Sequence, residues 1–302
     1  GMAAFTSQSC TDAGVTVMAQ QSITDNYNSH ISFKVEGFQV EDGQQPDFGS
    51  ISVLVNGKDD LNLDAGFYDG IITGEDGMPV RASDGSSALD ENGDMIYYYV
   101  QEDGSMEFDI NMNNYSEKGF FIGKDIQVEL KDLGTVDKAE FTKTLEGTWS
   151  FEWTLGGADT AKTYTLNQPL GDSGATIQTV EISPISVYAE YNFPIQKETI
   201  TGENEDGTTS ESTTFKEAPP LMGIKLKDGT VIKNMYMGGG MIGYQNNSSD
   251  DYVYAYATDR IIDPDQIAYF LFINNDVPIG EQGMTENNFY EVAVGENQQG
   301  DR

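Results

Sequence analysis

"TDAGVTV", at residues 11–17, is nearly repeated as "GDSGATI" at residues 171–177. Both stretches place an Asp, one spacer, a Gly, an apolar residue, a Thr and a β-branched residue in the same order. An Asp-x-Gly turn followed by alternating residues is typical of the start of a β-strand. Strand-like runs follow both stretches, and each is followed further on by a hairpin signal, Asn56-Gly57 or Asp228-Gly229. The pattern therefore predicts two copies of one β-rich module.

The runs between these signals alternate with the period of a β-strand. In "HISFKVEGF" the apolar residues Ile31, Phe33 and Val35 share one face, while polar residues occupy the other. In "GTWSFEWTL" the large rings Trp149 and Phe151 fall on one face as well, a heavy aromatic contribution to a core. The sequence therefore predicts an all-β fold built from two sandwiches.

The domain limits follow from composition. A chain of 302 residues usually divides into two cores, and the small, polar stretch "GGADT" at 156–160 is the best boundary. We therefore expect an N-terminal sandwich at 11–158 and a C-terminal sandwich at 159–294. Residues 1–10 and 295–302 are polar and are expected to form flexible tails.

Two features mark the second module. Pro184 interrupts a long apolar run, so we expect that run to split into two strands or to lie at a sheet edge. Residues 196–220 are polar and poor in apolar side chains, which predicts a mobile loop or a long hairpin tip.

The charge of the chain restricts its partners. Acidic residues outnumber basic ones 50 to 16, giving a formal net charge of −34. Nucleic acids and anionic membranes bind clustered Lys and Arg, so this surface excludes both as ligands. It favours solubility outside the cell and tolerates Ca²⁺ and cationic partners.

The start of the sequence and the single cysteine give little information about where the protein is located in the cell. Cys10 is the only cysteine, which excludes an intrachain disulfide and predicts a free thiol. No apolar stretch is long enough to span a membrane. Gly1 before Met2 is typical of a residue left by protease cleavage, which leaves open whether a signal or an anchor precedes this sequence in the natural protein.

No catalytic constellation stands out. His30 is the only histidine and stands at the head of a strand without a nucleophile motif nearby, which favours a structural or solvated histidine. A pair of carboxylates could hydrolyse a glycoside, but the 50 acidic residues offer no way to choose a pair. The sequence therefore predicts a protein without enzymatic activity, catalytic residues or a cofactor.

The sequence does not favour a metal site either. Transition metals need clustered His and Cys, which this sequence lacks. The densest set of hard oxygen ligands for Ca²⁺ is Asp84, Asp90, Glu91 and Asp94. These residues do not fit the spacing of a twelve-residue calcium loop, so a plain acidic turn is the favoured interpretation.

Three aromatic or flexible stretches are candidates for a ligand surface. Tyr252, Tyr254 and Tyr256 alternate along one strand and offer a stacking face for sugar or peptide, although packing within a sheet is the commoner role. The tyrosines at 97–99 raise the same two alternatives. The three glycines at 238–240 favour a bulge or loop, because no phosphate-binding helix follows them.

Several of these stretches together carry a resemblance. They are "TDAGVTVMAQQSITDNYNSHISFKVEGF" at 11–38, "LEGTWSFEWTL" at 145–155, "KTYTLNQPL" at 162–170, "GATIQTVEISPISVYAEY" at 174–191 and "IKLKDGTVI" at 224–232. This succession resembles the extracytoplasmic region of the domain of unknown function 4179 family, which consists of membrane proteins of Gram-positive bacteria.

The resemblance covers roughly residues 11–280. It implies two tandem immunoglobulin-like β-sandwich domains, a transmembrane helix N-terminal to them and, in some members, an anti-sigma-factor-like role. It implies no catalytic residues. A sigma factor would contact only a cytoplasmic segment, and this sequence contains none.

The function that follows is a non-enzymatic, extracytoplasmic sensing or binding region of a membrane-anchored bacterial protein. Its partner would be a protein or glycan at the cell surface. The alternatives are a surface adhesin or carbohydrate-binding module that uses the tyrosine-rich strands and, less favoured, a hydrolase that depends on carboxylates.

Overall fold

β-strands make up nearly all of the regular structure in the computed structural model, which describes residues 3–73, 79–81, 97–281 and 283–295. No α-helix occurs in these ranges, and the only helical segments there are single 3₁₀ turns, Pro264–Gln266 and Glu286–Asn288. None of the helices described is long and apolar enough to cross a membrane. The all-β prediction is confirmed.

The chain divides into two compact units, unit 1 (Gly1–Ala161) and unit 2 (Lys162–Arg302). The strands described in unit 1 are β1 (Ala3–Asp12), β2 (Val15–Thr24), β3 (Asn28–Glu36), β4 (Gln45–Val55), β5 (Asn62–Phe67), β6 (Ile71–Thr73), β7 (Pro79–Arg81), β8 (Met106–Asn113), β9 (Asp125–Asp137) and β10 (Glu140–Thr154).

The strands described in unit 2 are β11 (Lys162–Pro169), β12 (Thr176–Ile182), β13 (Ser186–Asn192), β14 (Lys197–Glu203), β15 (Thr209–Phe215), β16 (Leu221–Leu226), β17 (Val231–Ile232), β18 (Tyr236–Tyr244), β19 (Asp251–Thr258), β20 (Ile267–Ile273) and β21 (Phe289–Ala293).

Unit 1 has two main antiparallel sheets that share one core. Their strand orders are β1-β2-β3-β8-β5 and β10-β9-β4, and β6 pairs with β7 separately. Alternate residues of β3 and β8, such as Phe33 and Phe108, face inward and meet Phe48, Trp149 and Phe151 from the second sheet. The period of two read from the sequence is the reason, because it gives each strand one apolar face to bury.

Side chains also join the two sheets of unit 1 along one side. The Gln8 side-chain amide of β1 bonds both main-chain groups of Glu152 in β10, donating to its carbonyl and accepting from its N–H. The Thr148 N–H donates to Asp12 Oδ2 at 2.8 Å, and Trp149 Nε1 donates to the Val15 carbonyl at 3.0 Å. These bonds hold edge strand β1 against edge strand β10.

Unit 2 repeats this plan. Its strand orders are β11-β12-β13-β19-β18 and β17-β16-β20-β21, and β14 pairs with β15 in a separate hairpin. Buried rings from both sheets fill the core: Tyr191, Phe193, Tyr256, Phe270 and Phe272.

Eight strands of each unit correspond. If β11, β12, β13, β19 and β18 are matched to β1, β2, β3, β8 and β5, the five-stranded sheets have the same order, and β16-β20-β21 matches β4-β9-β10. The first pair of strands also has its register shift at the same place, with Ser7 and Asn167 both at φ +48°. Asn167 lies 160 positions after Ser7, just as Asp172 lies 160 positions after Asp12.

Three predictions concern the two chain ends and the boundary between the units. The predicted tail at 1–10 is wrong for residues 3–10, because they pair with β2 as an edge strand, and an edge strand tolerates polar residues on its exposed side. The units divide after Ala161 rather than after residue 158. Of the C-terminal tail at 295–302, only residue 295 lies within the described residues.

Two predictions about the second module are confirmed. Pro184 stands in the turn between β12 and β13, where the Ser183 N–H donates to the Ser186 carbonyl at 3.0 Å. The polar stretch at 196–220 forms the β14–β15 hairpin, whose side chains are exposed on both faces.

Candidate functional site

The predicted tyrosine face does not reach the surface. Tyr252, Tyr254 and Tyr256 in β19 are no more than 9% exposed, and they point into the core of unit 2. The Tyr256 hydroxyl donates to the Leu221 carbonyl, and burial raises the pKa of Tyr252 and Tyr254 to about 12. The prediction of a stacking platform on these rings is wrong, because β19 lies between β13 and β18 and its rings fill the space between sheets.

The other aromatic candidates pack against each other, and the metal candidates fall in a part of the chain that the structure does not describe. The calcium candidates Asp84, Asp90, Glu91 and Asp94 lie outside the described residues. Within the residues the structure does describe, no group of three or more His, Cys, Asp or Glu side chains is placed to hold a metal ion. Tyr97 and Tyr99 stack at 6.2 Å, and burial is the main cause that raises the pKa of Tyr99 to about 12.

His30 belongs to a polar network on the outward face of β3 and β8. Its Nδ1 lies within hydrogen-bond distance of Asn111 Oδ1, at 2.5 Å. The Ser32 hydroxyl lies 3.3 Å from His30 Nε2 but donates to Asp109 Oδ1 at 3.0 Å. In a Ser-His-Asp triad the carboxylate would instead hold the histidine. The network therefore supports a structural role for His30.

The carboxylates of this network are partly withdrawn from water. Burial raises the pKa of Asp109, and the nearby His30 and the bond from Ser32 oppose that rise. Burial likewise raises the pKa of Glu107, with the Asp109 charge adding to it. These groups affect stability and its pH dependence.

A cleft in unit 2, here called the unit 2 cleft, is the best candidate site. It has a volume of about 360 Å³. The lining residues come from five separate segments: Asp172, Ser173, Phe193, Gln196, Glu198, Phe215, Lys216, Glu217, Pro219, Asn274, Asn275, Asp276 and Tyr290.

Hydrogen bonds fix the walls of the cleft to one another. Gln196 Nε2 donates to the Ser173 carbonyl at 2.9 Å, which ties the base of the β14–β15 hairpin to the β11–β12 turn. The Lys216 N–H donates to the Gln196 carbonyl at 2.9 Å and closes the hairpin base. On the facing segment, the Asp276 N–H donates to Asn274 Oδ1 at 3.1 Å. The cleft is therefore preformed by the fold.

Negative charge dominates the cleft. Its acidic side chains are Asp172, Glu198, Glu217 and Asp276, against the single cation Lys216. All four carboxylates are exposed, and none receives a hydrogen bond or an ion pair from a protein group in the part of the chain that the structure describes. Elsewhere, Asp103 accepts bonds from Ser105 and Lys34, which lower its pKa to about 2. The cleft carboxylates keep their acceptor capacity for a ligand.

Aromatic rings supply the apolar part of the cleft. Phe215, at the end of β15, is 56% exposed. Tyr290 in β21 packs over Gly171, where a Cβ would come within 2.4 Å of the ring. Gly171 has φ +52°, so a larger residue would be both strained and crowded. Burial raises the pKa of Tyr290, and the Asp276 and Asp172 charges raise it further, so its hydroxyl stays a neutral donor.

Few features of the sequence indicate this cleft. Asp172 attracted attention only as part of the repeated Asp-x-Gly phrase, and the other lining residues are spread as far as Tyr290 without a characteristic spacing. The polar stretch at 196–220 was the one usable signal, because long polar insertions often carry binding residues.

Comparisons with known proteins add little. No protein-family model matches this chain. No curated protein matches it either. A solved structure described as the conserved domain protein from Bacillus anthracis aligns over 97% of this chain and 88% of its own, with 14% identity and a TM-score of 0.42.

Proposed function

We propose that this chain is a non-enzymatic binding or sensing region, and that its ligand occupies the unit 2 cleft. The observation that carries the proposal is a preformed cavity of about 360 Å³ that combines an exposed ring with four unpaired carboxylates. Ligand sites typically combine apolar walls with a few convergent polar groups. The resemblance described above supports the further proposal that this region lies outside the cytoplasm and belongs to a membrane-anchored bacterial protein with immunoglobulin-like domains.

The ligand that fits this chemistry carries an ammonium group next to an apolar face. Asp172, Glu198 and Asp276 attract a cation from three different walls, and an aromatic face such as Phe215 adds a cation–π contact. An amino sugar or a lysine-containing peptide has both features. The formal charge of −34 on the whole chain favours the same class of ligand.

The lack of enzymatic activity is supported by the exposure of the carboxylates. Glycoside hydrolysis needs one carboxyl group that stays protonated near neutral pH, and burial in an apolar pocket is the usual cause. Asp172, Glu198, Glu217 and Asp276 are all exposed. Binding therefore fits the cleft better than hydrolysis.

Calorimetric titration with a matched pair of probes tests the proposal. We expect chitosan trisaccharide, which carries amines, to bind, and its fully N-acetylated counterpart to bind more weakly. Glu198→Gln should weaken binding about threefold to fivefold, the usual effect of removing one exposed charge pair. Glu203→Gln is the control, since Glu203 lies on the same strand but outside the cleft.

Each result has a clear meaning. Equal binding of both probes would favour the alternative of a module for neutral carbohydrates. Cleavage of either probe would favour a hydrolase. Equal losses for Glu198→Gln and Glu203→Gln would contradict the cleft as the site. A gene encoding an N-terminal transmembrane helix and a cytoplasmic segment would support the anti-sigma-factor-like version of the proposal.

A further inference from the structure

β18 is an edge strand without charge. It lies at the end of the sheet β11-β12-β13-β19-β18, so the backbone groups on its outer side have no neighbouring strand among the described residues. Residues 234–249 contain no Asp, Glu, Lys or Arg, although 22% of the chain is charged. Natural proteins usually protect such an edge with charge or proline. An unprotected edge is a site for adding another strand.

Apolar side chains are exposed along this edge. Tyr236, Met237 and Ile242 are 36%, 42% and 48% exposed. They contrast with the corresponding edge strand of unit 1, β5, which carries Asn62 and Asp64. The exposed part of β18 is therefore both apolar and free of the charges that keep other strands apart.

The first seven residues of β18 read almost the same in both directions. In "YMGGGMI", at 236–242, Gly239 is the centre, and Met237 and Met241 stand two residues away on either side. If two copies pair antiparallel with Gly239 opposite Gly239, Met237 faces Met241 and Tyr236 faces Ile242 of the other copy. Each exposed apolar residue then has an apolar partner, and such cross-strand pairs stabilise sheets.

We propose that two copies of this chain associate edge to edge through β18, as a symmetric antiparallel pair. A two-fold interface needs a surface that complements itself, and this near-palindrome provides one. The charge of −34 opposes contact between copies wherever acidic groups meet, which leaves an uncharged strand as the favoured place.

Other edges are less suitable for a second copy. β1 already bonds to β10 through Gln8. β11 begins with Lys162 and ends with Pro169, and β21 carries Glu291. The proposal is independent of the cleft, because β18 contributes none of its lining residues.

The glycines of β18 allow the backbone of another strand to come close. Against β19 the register shifts twice, between Tyr236 and Gly238 and between Gly238 and Met241. Gly238 and Gly239 have φ +148° and +63°, so the bulges require glycine. Glycine within a strand also marks places where another backbone comes close. In the proposed register the bulges of the two copies meet at the two-fold axis.

Sedimentation velocity over about 5–200 µM protein tests the association. The interface is small, so we expect a weak dimer that strengthens as salt screens the repulsion between copies. Ile242→Lys should weaken it about tenfold, because a charge must be desolvated opposite Tyr236. Ile200→Lys is the matched control, since Ile200 is similarly exposed, at 50%, on β14.

Cysteine cross-linking tests the register. In a Cys10→Ser background, a mixture of Met237→Cys and Met241→Cys chains should form a disulfide, because paired residues have Cα atoms about 4.5–5.5 Å apart. Either variant alone should not, because equivalent residues would be four positions out of register. A monomer throughout the range at high salt, equal effects of the two lysine substitutions, or no faster cross-linking in the mixture would each overturn the proposal.

Discussion

Asp12 and Asp172 occupy the same place in the repeated phrase but have different surroundings. In unit 1, Asp12 accepts hydrogen bonds from the N–H groups of Ala13 and Thr148, so it joins the two sheets. In unit 2, Asp172 receives no bond from another described group and lines the cleft. The same motif is therefore structural in one unit and available to a ligand in the other.

The last strand of each unit explains this difference. β10 has 15 residues and runs alongside β1, so its Thr148 N–H reaches the exposed Asp12 side chain. β21 has 5 residues, and the segment at 274–276 and Tyr290 stand around Asp172 instead. A repeated module can therefore gain a binding site where one strand is shorter, without a change in strand order.

The largest expected effect on stability comes from removing the aromatic ring beside each Asp-x-Gly motif. Trp149→Ala should destabilise unit 1 by about 3–5 kcal/mol, because it leaves a large cavity and an unpaired Val15 carbonyl. Tyr290→Ala should cost unit 2 less, since Tyr290 is only half-buried. Denaturation followed by Trp fluorescence reports unit 1 alone, because both tryptophans lie there. Equal losses in the two units would contradict the comparison.

The aspartates themselves give a smaller effect. Asp12→Ala should cost about 1 kcal/mol, because the Thr148 and Ala13 N–H groups lose an acceptor. Asp172→Ala should change stability by less than about 0.5 kcal/mol, as is usual for an exposed side chain, but should weaken binding of the chitosan probe. Hydrogen exchange of peptides from each unit measures both changes. A large loss for Asp172→Ala would mean that it is structural as well.

The units should also differ in their response to acid. The described carboxyl groups whose pKa is raised lie in unit 1, whereas both units hold groups whose pKa is lowered, Asp103 in unit 1 among them. Burial raises the pKa of Asp47, Glu107 and Asp109 in unit 1. A carboxyl group whose pKa is raised on folding binds more protons in the folded state, so it contributes less stability as pH rises through that pKa. In unit 2, bonds from Thr208 and Thr230 lower the pKa of Asp206 and Asp228, so their contribution is lost as pH falls below the ordinary value of 3.8.

Asp109→Asn isolates this effect in unit 1. The unfolding free energy of the variant relative to the wild-type chain should fall as pH falls from neutral towards the ordinary aspartate value of 3.8, because the wild-type carboxyl becomes protonated. His30 Nε2 lies 3.6 Å from Asp109 Oδ1, so His30→Gln is measured alongside. A constant difference across this range would contradict the prediction.

A small stability effect is also expected for the β14–β15 hairpin, which has no counterpart among the described strands of unit 1. Its side chains are exposed, so replacing residues 197–215 by a short Gly-Ser loop should change the stability of unit 2 by less than about 1 kcal/mol. Probe binding should be lost, because Glu198 and Phe215 are removed. Hydrogen exchange in β19 and β20 checks the first result and calorimetry the second.

Much of the fold could be predicted from the sequence because strand patterns are local. The period of two placed Ile31 and Phe33 in the core, and Pro184 marked a turn. The strand at 3–10 was missed because an edge strand is exposed and does not need an apolar face. Its partner β2 pairs with it through the backbone, which leaves no pattern in the side chains.

The candidate site could not be predicted in the same way. Asp172 and Tyr290 are more than a hundred residues apart, and only the fold brings them together. The ligand face proposed on Tyr252, Tyr254 and Tyr256 is wrong for a different reason. Alternation indicates that the three rings share one face of the strand, but it does not indicate whether another sheet covers that face. Burial of a face depends on the second sheet, which local sequence does not describe.

The Gln8 amide has a consequence for how unit 1 opens. It takes the place of a peptide group, since it satisfies the N–H and the C=O of one residue 144 positions away. A single side-chain rotation would therefore release both groups at once, and the seam between β1 and β10 would fray from that point. The amide proton of Glu152 should then exchange with solvent at a rate set by the rotamer of Gln8, which lies near the other end of unit 1 in the sequence.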